Sequence, residues 1–109
     1  MNFKEYLLRI ADAKTYASAE EHLADYGYPA DCPFTGDGLA KAFDIIQAVS
    51  DSDFPQLVEL SGGNLSAMCR LLSIPLRTAQ RWASGERKPS EYIIQLIGFA
   101  LISQCEKVQ

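Results

Sequence analysis

Residues 64–89 read NLSAMCRLLSIPLRTAQRWASGERKP, and the punctuation of this stretch decides the fold. Asn64 is a strong N-cap residue, and Leu65, Met68, Cys69 and Leu72 come after it at the three- and four-residue spacing of one apolar helix face. Ser73-Ile74-Pro75 then breaks the pattern. Proline disfavours the helical region for Ile74, while its own fixed φ suits the start of a new helix. The spacing predicts a second helix from Leu76 to about Ala83. It turns Ala79 and Trp82 inward and leaves Arg77, Gln80, Arg81 and Ser84 on the opposite, polar face. Gly85 is suited to a left-handed cap, and Glu86-Arg87-Lys88-Pro89 makes a short basic connection to the next helix.

These residues resemble the helix-turn-helix domains of the phage repressor and Cro type (lambda-repressor-like, Xre-type). In that family the second helix commonly ends in a pattern T-x-x-x-W-x-x-G-x-x-x-P, matched here by Thr78, Trp82, Gly85 and Pro89. The resemblance is strong over about a third of the chain and weaker from Asp53 to about Ser103; residues before about 50 carry none of it. Two positions depart from the pattern. Cys69 stands where the family usually has alanine, and it remains small and readily buried. Ser73 stands where the turn usually has glycine, and a left-handed serine costs roughly 1 kcal/mol relative to glycine.

The resemblance implies an all-α helical bundle and a sequence-specific DNA-binding protein, a transcriptional regulator or repressor that acts as a homodimer on double-stranded DNA. The start and outward face of the second helix would enter the major groove, where base edges display an unambiguous donor and acceptor code. Leu76, Arg77, Gln80, Arg81 and Ser84 are the expected base readers. Arg87 and Lys88, together with Arg70, are the expected phosphate contacts, joined by free amides at Asn64, Leu65 and Ser66 near a helix N-terminus. Trp82 is expected to be a core residue rather than a stacking platform.

Charge is distributed accordingly. The 109 residues carry a net charge of −4, which on its own argues against a polyanionic partner. Residues 1–62 hold four cations against eleven acids, whereas residues 63–109 hold six cations against three acids. The division suggests an acidic N-terminal helical extension of unknown role over residues 1–50 and a DNA-facing region over 51–109. It also supports an alternative of another class: a protein-interaction module, such as an antitoxin or anti-repressor, whose acidic half binds a basic partner.

The remaining elements are read from periodicity and caps. Asn2 to about Lys14 is an amphipathic helix with Phe3, Leu7 and Ile10 on its stripe and Tyr6 and Leu8 beside it. Ser18 and Glu21 have the spacing of a capping box for a short helix that Gly27 ends. His22, the single histidine, is read as a solvated or packing residue. Residues 27–38, GYPADCPFTGDG, form a loop, with Tyr28 and Phe34 pinning it to the core and Cys32 an inert thiol. Leu39 to about Ser50 is a buried helix with Leu39, Phe43, Ile46 and Val49 inward. Asp53, with Gln56 three places on and Pro55 between, opens another short helix carrying Leu57, Val58 and Leu60. Ser90 caps a final helix that carries no charge between Glu91 and Glu106, and its apolar girth demands two buried faces.

Catalytic readings fail for want of parts. The chain has no glycine-rich phosphate loop, no cysteine or histidine pair at metal-ligand spacing, and one histidine only. No enzyme activity, metal or cofactor is expected. Three cysteines without paired spacing, a charged N-terminus and the lack of a membrane-length apolar run predict a cytoplasmic protein with no membrane partner.

Overall fold

The structure, a computed structural model, describes residues 1–27, 34 and 36–105. Among these residues the fold is all-α: α1 (Phe3–Ala13), α2 (Ala19–Tyr26), α3 (Gly36–Ser50), α4 (Phe54–Leu60), α5 (Leu65–Leu72), α6 (Leu76–Ser84) and α7 (Glu91–Ser103). Five of the starts are set by side chains that satisfy an orphan amide three residues on. Asn2 accepts from the Glu5 amide, Ser18 from Glu21, Asp53 from Gln56, Asn64 from Ala67 and Ser90 from Ile93. At α2 the capping box closes one residue early, because the Glu21 carboxylate accepts from the amide of Ala17 rather than that of Ser18. No described helix is long and apolar enough to cross a membrane.

α3 is the axis of the molecule. Leu39, Ala42, Phe43, Ile45, Ile46, Ala48 and Val49 are all buried, so most of its circumference is covered and not only the stripe expected from periodicity. α1, α2, α4 and α7 each pack directly against it. The helix also begins at Gly36, inside the stretch read as loop, with Asp37 placed favourably in its first turn. Phe34 is buried in the core as expected, while Tyr28 and Cys32 lie outside the described residues.

The N-terminal helix differs from its expected register. Tyr6, Ile10 and Ala13 form its buried line, Phe3 and Leu7 are half-buried, and Leu8 is 56% exposed. The reason is Tyr6. Its hydroxyl donates to the Gln95 carbonyl of α7 at 2.7 Å, and burial pushes its phenol above the ordinary range. The ring itself stands 5.3 Å from that of Phe99. A tyrosine buries readily when its hydroxyl finds such a partner. α7 approaches closely at this point because residue 98 is glycine. A Cβ there would overlap Val49 Cγ2 on α3 and the Tyr6 hydroxyl oxygen.

α2 closes the N-terminal end through His22, which is buried rather than solvated. Its ring stacks on Tyr16 at 4.5 Å and meets the edge of Phe43 at 4.8 Å. The Tyr16 hydroxyl donates to Asp25, and Arg9 lies over the Tyr26 ring while pairing with Asp12 at 2.5 Å. His22 Nε2 has no hydrogen-bond partner. Burial first, and the Arg9 charge second, hold the imidazole below its ordinary pKa, with Asp12 and Asp25 opposing.

Two measurements check this packing. Gly98→Ala is expected to destabilise the protein by about 1–3 kcal/mol in urea unfolding, since the overlap is with a packed side chain and a bonded hydroxyl. Because His22 binds a proton more readily unfolded than folded, stability is complete above its unfolded pKa of 6.5 and declines as pH falls through and below that value. Thermal unfolding between pH 7.5 and 5 is expected to show this fall, and His22→Phe should flatten it.

Candidate nucleic-acid interface

The α5–α6 pair is joined through Ser73, which adopts the left-handed conformation at φ 56°, ψ 39°. Serine therefore takes the backbone position that favours glycine. It is held there because the Ser73 and Ile74 amides both donate to the Cys69 carbonyl, the latter at 3.0 Å. Cys69 is buried behind the turn, and burial raises its thiol pKa. Pro75 sits at the cap position just before α6 rather than within its first turn; its carbonyl accepts from the Ala79 amide at 3.1 Å. Ala79 is fully buried and fixes which face of α6 turns inward.

The opposite face is set by that anchor. Arg77, Gln80 and Ser84 are exposed and Arg81 is partly so. These four recur at three- and four-residue spacing and line one polar groove together with Glu86. Leu76 lies outside that lining, 40% exposed at the start of α6. Trp82 is half-buried, with its ring edge-on to Phe54 of α4 at 5.6 Å. It lines a separate groove with Asp51, Pro55 and Lys88.

The expected phosphate contacts lie outside the lining of this groove. Arg70, Arg87 and Lys88 are all exposed. At the start of α5 the Asn64 side chain takes the Ala67 amide at 3.0 Å and its carbonyl takes that of Met68 at 3.0 Å. The Leu65 and Ser66 amides remain without an intrahelical acceptor. Among the described residues from 63 onward, five cations stand against two acids, Glu86 and Glu91.

The sequence does not single out Glu86, which reads there as part of a basic connection. Gly85, at φ 81°, turns the chain back. The Arg81 carbonyl then accepts from the Arg87 amide at 3.2 Å and from the Ser84 hydroxyl at 3.1 Å, and the Ser84 hydroxyl accepts from the Glu86 amide at 3.4 Å. The carboxylate of Glu86 so comes to lie 3.9 Å from Arg81 Nε. The signal that could have found it is the glycine, because a left-handed residue there returns its successors toward the helix they leave.

An apolar groove lies on another side, lined by Leu72, Ile74, Ile93, Leu96, Ile97 and Ala100. Leu71, Tyr92 and Leu96 are exposed large apolar residues on or beside the elements that form it. No group of three or more metal-ligating side chains is gathered among the described residues. No protein-family model, curated protein or solved structure matches the chain.

The strained turn is open to a direct check. Ser73→Gly removes a left-handed penalty of about 1–2 kcal/mol and adds unfolded-chain entropy worth about 0.5–1 kcal/mol. A net gain of about 0.5 kcal/mol in urea unfolding is expected.

Proposed function

We propose that the protein binds double-stranded DNA sequence-specifically as a transcriptional regulator, setting α6 into the major groove. The observation that carries the reading is the outward face of α6. Arg77, Gln80, Arg81 and Ser84 share one groove, and Arg70, Arg87 and Lys88, on α5 and just after α6, are exposed. Arginine bridges guanine O6 and N7, glutamine bridges adenine N6 and N7, and Leu76 at the helix start suits a thymine methyl. The cations after α6 and the open amides of Leu65 and Ser66 suit phosphate oxygens, which position a protein without specifying sequence.

Homodimeric binding belongs to the proposal. Two-fold symmetry would set two reading helices roughly 34–36 Å apart on a palindromic site. The uncharged groove between Leu72, Ile74 and α7 supports a contact with a second copy, since the chain's own helices leave it open.

The alternative, capture of a basic protein by the acidic half, is favoured by one specific feature. Loss of hydration, and then the charge of Glu20 on α2, push the Asp44 carboxyl on α3 above its ordinary range. A cationic partner beside Asp44 would favour its charged form.

Fluorescence anisotropy on a labelled duplex from the upstream intergenic region, against a scrambled duplex at several salt concentrations, tests the reading. Arg77→Ala with Arg81→Ala is expected to abolish the preference, each lost contact being worth about 1–3 kcal/mol of discrimination. Lys88→Ala should weaken both duplexes alike and lower the salt slope by about one unit. Folded protein that binds neither duplex at low salt would overturn the proposal and direct attention to the acidic half.

A further inference from the structure

The groove on α6 holds a carboxylate where a DNA-facing surface would be expected to hold none. Glu86 is 66% exposed at its side chain, so its placement is not forced by packing. It is fixed by the backbone: Gly85 reverses the chain, and the Arg81 carbonyl gathers the Ser84 hydroxyl and the Arg87 amide around the turn. The ion pair with Arg81 is made at Nε, 3.9 Å from Glu86 Oε2, and the Arg81 side chain is 40% exposed. The two terminal Nη groups form the donor fork of the guanidinium.

A carboxylate set against a duplex is repelled by phosphates and by every acceptor on a base edge. It is tolerated where a base offers it a donor, and in the major groove those donors are cytosine N4 and adenine N6. A guanidinium fork beside it demands two adjacent acceptors, which guanine supplies as O6 and N7. One base pair presents both requirements side by side: guanine contributes two acceptors and its cytosine partner the neighbouring amine. An A·T pair lacks the paired acceptors that the fork needs.

Resting on the DNA-binding reading, we propose that Arg81 and Glu86 act as one unit that reads a single G·C pair in each half-site. Arg81 takes guanine O6 and N7 through its terminal nitrogens, and Glu86 accepts from cytosine N4. Glu86 thereby restricts what Arg81 alone would accept. Its charge also biases the guanidinium toward this side of the groove before DNA arrives, which lowers the ordering cost of the contact.

The experiment is selection from a random double-stranded DNA library with the full chain, its Glu86→Gln and Arg81→Ala variants, and Glu91→Gln as a control for removing an exposed acid outside the groove. The unchanged protein is expected to enrich sites with a required G·C pair in each half. Glu86→Gln should relax discrimination at that pair on the order of ten-fold while leaving the other positions intact. Arg81→Ala should relax the same pair, and Glu91→Gln should relax none. If Glu86→Gln keeps the G·C requirement, or changes affinity equally for all sequences as Glu91→Gln does, the paired-reader proposal is overturned while DNA binding stands. If the unchanged protein enriches no sequence at all, the DNA-binding reading fails and this proposal with it.

Discussion

The contact of α7 with Tyr6 and Val49 across Gly98 is the constraint on which the rest of the molecule depends. Through it the first helix of the chain and the last are fastened to the same central helix. The Tyr6 hydroxyl would be costly to bury without a partner, and the Gln95 carbonyl supplies one. Glycine at 98 lets the backbones approach to the distance at which that bond forms. Once α1 and α7 are fixed, α3 has neighbours on nearly every side, and the small residues Ala42 and Ala48 are buried together with its large ones. A single hydrophobic core includes Tyr6, Phe43, Leu57 and Ile94, so the first and last helices share one interior.

Much of this is legible in the chain, and the physical nature of each signal explains which parts are not. Helix starts are readable at Ser18, Asp53, Asn64 and Ser90, because a cap acts within one turn and needs no knowledge of the rest of the fold. The ends at Gly27 and Gly85 are readable for the same reason, both adopting positive φ. The face that each helix buries is harder. Periodicity identifies an apolar stripe, but α3 is covered from several directions, and Ile45 and Ala48 become core through neighbours distant in sequence. Periodicity also sets Tyr6 beside the stripe of α1 instead of at its centre, since its role depends on a carbonyl 89 positions away.

The candidate interface shows the same division. Ala79 inward and Arg77, Gln80, Arg81 and Ser84 outward are consequences of local spacing alone, and those four share one groove. Spacing gives no such hint for Glu86. It joins the groove because a left-handed glycine redirects the chain, a three-dimensional consequence of one residue's conformation. Ser73 is the complementary case. A residue poorly suited to positive φ adopts it, because two amides converge on the Cys69 carbonyl and the flanking helices hold the turn.

Joining an acidic half and a basic half through one core has an electrostatic consequence of its own. Residues 1–62 carry a net charge of −7, and the cations from Arg70 to Lys88 lie on α5, α6 and the turn after them. The molecule extends 42 Å along its longest axis. Such a body is a permanent dipole as well as a net anion. In the field of a polyanion a dipole experiences a torque that turns its cationic elements, here α5, α6 and the turn after them, toward the polyanion, while the overall charge opposes approach. Orientation would then precede contact, and loose encounters through the wrong surface would be short-lived.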